Sequence, residues 1–125
     1  MASGFIEHTI TQDNLENKAL VTMSFVSSRA ENVSGGMRAL GAYAFISVKF
    51  KAKATASNSP QVGNVLSGYF PRTEVAASCI DITSGISSSI TSGVPAGIST
   101  EGKIYVKEIT TDHIYALTCA YIANI

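Results

Sequence analysis

Two histidines, His8 and His113, limit the proton-transfer chemistry open to this 125-residue chain. A Ser-His-Asp arrangement would have to combine His113 with Asp112 or Asp81 and one of 16 serines. No serine stands in a GxSxG setting, the sharp strand-to-helix turn that exposes a nucleophile. Glycoside hydrolysis would need two carboxylates facing one cleft. Of Glu101, Glu108, Asp81 and Asp112, the first and last fall in predicted turns, where carboxylates are solvated. The glycines mark turns and follow neither GxGxxG nor GxxxxGK[ST] order, so no phosphate cradle is implied. The expectation is a protein that is not an enzyme and carries no cofactor.

Metal ligation has equally little to build on. Cys79 and Cys119 fit no CxxC spacing, and each lies in an alternating apolar run, where a thiol packs as a small hydrophobe. His8 shares its parity with Ile6 and Ile10 and is read as a core or interface histidine. Repeated around a symmetry axis, it would form a metal or anion site that one chain lacks. Lys49, Lys51 and Lys53 make a basic stripe that would suit an acidic glycan, but a row of lysines is more often the solvated face of an edge strand. The five tyrosines, at 43, 69, 105, 115 and 121, are more useful. A phenol ring stacks on sugar C–H groups while its hydroxyl hydrogen-bonds. Tyr115 and Tyr121 share a parity with Leu117 and Cys119 and are expected in the core.

The elements that would position these groups read as strands. Over residues 42–55 one parity carries Ala44, Ile46, Val48, Phe50, Ala52 and Ala54, and the other carries Tyr43, Phe45, Ser47 and the three lysines. That period of two puts the first set on a core face. Strands are also predicted over 5–11, 20–27, 62–66, 75–83 and 94–99. Runs 102–109 and 114–122, four residues apart, read as an antiparallel hairpin. Gly102 closes the turn before them, and Asn58-Ser59-Pro60 and Gly68–Pro71 punctuate the middle. Asp13–Glu16 has the form of a capping box. Residues 29–38, containing Gly35-Gly36, read as a loop that tucks Met37 and Leu40 into a neighbour, and Ser-rich 84–97 reads as a long loop. Seven or eight short strands without a long helix predict one all-β domain, an antiparallel sandwich or jelly roll. Residues 1–40 form an arm of uncertain pairing and 41–125 the core.

Composition points to life in an assembly. Nine Lys+Arg balance nine Asp+Glu, and charged residues make up only 14% of the chain, where soluble domains average about 25%. This excludes a large basic footprint for nucleic acid and a polybasic membrane anchor. No apolar run reaches the roughly 18 residues of a spanning helix. With 46% hydrophobic residues, 16 Ser and 11 Thr, a neutral chain has little electrostatic protection against association. Further copies of the chain would cover apolar faces that a monomer leaves wet.

One long stretch is more particular. "VGNVLSGYFPRTEVAAS", "GISTEGKIYVKEI" and "HIYALTCAYI" follow one another, with Leu66, Gly68, Tyr69, Phe70 and Pro71 at a corner, Ile98, Glu101, Gly102, Ile104 and Val106 around a turn, and Tyr121 near the end. Residues 43–123 resemble the C-terminal head of phage tail-fibre and baseplate receptor-binding proteins. They depart from that pattern in carrying Leu66-Ser67 for Leu-Pro and Glu101 for Asp or Asn. The resemblance implies a trimer of β-sandwich heads at the tip of a virion, contacting other tail or baseplate proteins and adsorbing to a host cell-surface glycan. It transfers no receptor residue, so the saccharide-binding candidates are chosen on chemistry: Tyr43, Tyr69, Arg72, Asp112 and His113. A purely structural virion subunit and a secreted lectin-like module remain alternatives. A chain opening on Met1 suits a self-standing small subunit.

Overall fold

The computed structural model describes residues 23–85 and 93–124. Its strands are β1 (Ser24–Phe25), β2 (Ala30–Leu40), β3 (Tyr43–Ala52), β4 (Gln61–Asn64), β5 (Val75–Asp81), β6 (Ala96–Ile98), β7 (Lys103–Val106) and β8 (Ile114–Ile122). They form one sheet in the order β1-β4-β7-β6-β5-β8-β3-β2, with every pairing antiparallel. The two outermost strands, β1 and β2, follow each other in the chain and touch, so the sheet curls until it is nearly closed. Closure of this kind buries one face of every strand without a second layer.

The predicted all-β class is what the structure has, and β3 shows why. Its burial alternates along the whole strand, with Ala44, Ile46, Val48, Phe50 and Ala52 inside. Phe50 is the centre of the core, stacked on Tyr115 at a centroid distance of 5.6 Å and tilted against Phe25 at 5.7 Å. Leu117, Ile98, Ile104, Val106, Ile109 and Met37 complete the packing, each at most 2% exposed. Tyr115 and Tyr121 face inward as their parity requires. The turn at Gly102 is also as expected: its φ is +80°, and β6 pairs with β7 across it.

Four expectations are corrected. Residues 30–40 are not a loop but the long strand β2, paired with β3 from Ala30↔Ala52 to Leu40↔Tyr43. Met37 is fully buried in the chain's own core, not in a neighbour. Residues 30–40 thus belong to the same sheet as the core. What hides the strand from its sequence is a register shift between Glu31 and Ser34, with Asn32 at φ +53°, followed by Gly35 at φ +89°. A Cβ at Gly35 would fall 2.2 Å from the Ser47 carbonyl oxygen, so only glycine lets the two strands approach there.

Next, 102–109 and 114–122 are not a hairpin. β7 lies between β4 and β6, and β8 lies between β5 and β3. The segment joining them crosses the end of the barrel, exchanging main-chain hydrogen bonds between Ile109 and Ala56 and burying Ile109. It is then held by Asp112 N–H to Ala52 O (2.9 Å) and Ala52 N–H to His113 O (2.8 Å). Third, β3 is an interior strand, so its lysine stripe guards no edge. Fourth, the loop at 84–97 ends earlier, because Ala96 and Gly97 belong to β6. Of the stretch read as a strand over 20–27, Ser24–Phe25 forms β1, and Val26 N–H adds one bond to Val62 O of β4 at 2.8 Å. The strand at 5–11, the capping box and His8 lie outside the described residues.

Candidate functional site

The five sequence candidates do not form one site. β3 and β8 run the height of the barrel, and their ends place Tyr43, Tyr69 and Arg72 at one rim, with Asp112 and His113 at the other. Nine residues of β8 separate the rims by about 27 Å.

The first rim is built on the corner at residues 66–71. Gly68 (φ +97°) allows the turn in which Tyr69 N–H bonds to Leu66 O at 3.1 Å. The corner is then tied to the end of β8. The Tyr121 hydroxyl donates to Tyr69 O (2.7 Å), Arg72 N–H to Ile122 O (3.0 Å) and Asn124 N–H to Phe70 O (2.8 Å). Phe70 covers Gly102, where a Cβ would fall 2.5 Å from the ring, and Val65 N–H reaches Gly102 O at 2.9 Å. Burial, together with the nearby Cys119, pushes the Tyr121 phenol up to about 12, so it stays a neutral donor. Tyr69 is half-buried against the core and contributes its carbonyl. Arg72 is exposed, and Tyr43 is 58% exposed beside its ladder partner Ile122, itself 49% exposed. With Phe45 they make an apolar outer patch at the top of β3 and β8.

The opposite rim is charged. His113 Nδ1 lies 2.6 Å from Asp81 Oδ2. The other carboxylate oxygen accepts the Thr83 hydroxyl and, at 3.0 Å, the Thr83 N–H. Thr83 Oγ1 in turn accepts Ile114 N–H at 2.9 Å. Burial would raise the Asp81 carboxyl, but the hydrogen bonds from Thr83 and His113 outweigh it and hold Asp81 below the usual carboxylate range. The carboxylate sits between hydroxyl and imidazole, so Thr83 is bound to Asp81 and not aimed at the ring nitrogen that would deprotonate it. Asp112, at φ +71°, lies 3.5 Å from Lys51 Nζ in an exposed ion pair. Among the described residues no cluster of three His, Cys, Asp or Glu side chains could hold a metal.

The cysteines behave as their surroundings dictate. Cys79 is buried, and burial with the neighbouring Asp81 charge pushes its thiol up to about 12. Cys119 is half-buried, raised by burial, and donates to Ala76 O at 3.5 Å. Both are free thiols.

Tyr105, outside the five candidates, lines a groove of about 280 Å³ with Ser59, Pro95, Ala96, Gly97 and Lys107. The available signal was the outward row Lys103, Tyr105, Lys107 on a strand whose other parity is Ile104 and Val106. Comparison with known proteins adds no relative: no protein-family model and no curated protein matches this chain.

Proposed function

We propose that this chain is a tip or receptor-binding protein of a phage or prophage particle that adsorbs to a host cell-surface saccharide. The observation that carries this reading is the corner where Gly68, Tyr69, Phe70, Pro71, Gly102 and Tyr121 interlock. These are six of the eleven residues on which the resemblance rests, and they meet through space although they lie far apart in the chain. At that rim, Tyr43 offers an exposed ring and Arg72 an exposed guanidinium, the pairing that stacks on a sugar and binds its hydroxyls. Asp112 and His113 stand at the far rim and are no part of this site.

The patch of Tyr43, Phe45 and Ile122 favours a second reading, a structural subunit whose outer face is covered by further copies of the chain. The neutral net charge opposes such association very little. A whole-cell pull-down and a glycan array decide between the two. Adsorption lost in Tyr43→Ala and Arg72→Ala supports the receptor-binding reading, and no binding to any cell or glycan supports the structural one. Light scattering in dilute buffer is expected to show a trimer. A monomer that still binds glycans would leave the lectin-like module.

A further inference from the structure

The outer face of β6 and β7 carries a groove whose lining includes none of the residues described at either rim. Ile104 and Val106 are buried, so strand alternation turns Lys103 and Tyr105 outward, and Lys107, in the bend just past β7, joins Tyr105 in lining the groove. Tyr105 lies across from Gln61 on one side and Gly97 on the other, and Gly97 lies across from Ala76. One flank of the ring is therefore bare backbone followed by a single methyl, which makes a flat floor. The floor is kept bare by packing, since a Cβ at Gly97 would come within 3.0 Å of the Val75 carbonyl oxygen.

The walls are held by main-chain bonds. Lys107 N–H donates to Pro95 O at 2.8 Å, and Ser59 N–H donates to Lys107 O at 3.0 Å. A site fixed by backbone in this way loses little order when a ligand enters. Charge within the groove is one-sided. Lys103 is paired with Glu101 at 3.5 Å, whereas the Lys107 ammonium and the Tyr105 hydroxyl have no partner among the described residues. Glu108, the residue after Lys107, is exposed and is not among the residues lining the groove.

We propose that this groove is a saccharide subsite for a pyranose ring bearing a carboxylate. The C–H face of the sugar lies on Tyr105 and over Gly97, the carboxylate meets Lys107, and the hydroxyls of Tyr105 and Ser59 bind ring hydroxyls. The inference rests on the saccharide-binding part of the proposed function. Lys107 is exposed, so its contribution falls as salt rises.

The test is an NMR titration of ¹⁵N-labelled full-length protein with hyaluronan tetrasaccharide, which carries glucuronate, and with neutral cellotetraose. The expected result is movement of the Gly97, Tyr105 and Lys107 amides, with the neutral sugar binding about tenfold more weakly. Tyr105→Ala is expected to abolish both responses, Tyr105→Phe to keep the preference for the acid, and Lys107→Ala to make the two sugars equal. Amide dispersion reports whether each variant is folded. Groove amides that ignore the acidic tetrasaccharide, or respond unchanged in folded Tyr105→Ala, overturn the proposal. If those amides stay silent while cells are still bound, the groove falls and the adsorption reading stands. If they respond while no cell surface is ever bound, the adsorption reading falls and the groove stands.

Discussion

The two rims of the barrel are held together by different physics. At the corner of residues 66–71, the polar atoms are spent on main chain: a phenol on a carbonyl, amides on carbonyls, a ring over a glycine. At the other rim, a carboxylate gathers an imidazole, a hydroxyl and an amide, and an ammonium meets an exposed aspartate. The first arrangement is neutral and shape-dependent, so volume and backbone changes should damage it. The second is electrostatic, so pH should reach it while single truncations of solvated charges should not.

The sharpest break is expected from Gly102→Ala. It forces a side chain into φ +80° and against Phe70 and Val65, and should cost about 3 kcal/mol, lowering Tm by about 10 °C. A Tm within a degree or two of the parent would mean that the corner is loose. Tyr121→Phe, which keeps the ring and leaves Tyr69 O without its donor, should cost about 1 kcal/mol by urea denaturation. Its effect should be the same at high and low salt.

Asp81→Asn tests the other rim. The carboxyl is held lower in the fold than in the unfolded chain. Its contribution is therefore complete at neutral pH and is lost as pH falls below about 3.9 and through the folded value. Parent and variant should differ at pH 7 and converge in acid, with a smaller gap at pH 7 than Tyr121→Phe produces. A gap that persists unchanged at low pH would show that the residue acts by packing alone. Smallest of all is Lys51→Ala. The partners of its ion pair are 34% and 74% exposed, so the urea midpoint should move by no more than about 0.5 kcal/mol equivalent.

Much of this contrast was readable one strand at a time. Parity placed Phe50, Leu117, Tyr115 and Tyr121 inside, and Gly102 announced its own turn, because burial and positive φ are local demands. Strand order is not local. Nothing in residues 102–122 says that β7 and β8 belong to different parts of the sheet, since the crossing segment is fixed by Ala52 and Ala56, some 50 residues earlier. For the same reason, chemistry could pick Tyr43, Arg72, Asp112 and His113 as suitable groups without revealing that the barrel's height divides them. β2 is hidden in the sequence because its irregular stretch breaks the very periodicity that marks a strand.

That irregular stretch also bears on how the protein avoids unwanted growth. Among the described residues β2 ends the sheet, and Val33 is 41% exposed along it. A straight terminal strand would offer a continuous row of amides and carbonyls to any stray polypeptide. The kink at Asn32, followed by the left-handed Gly35, interrupts that row, so an incoming strand finds only short segments to dock on. In a chain with so little charge to keep copies apart, a bent backbone does the work of a gatekeeper against fibre formation.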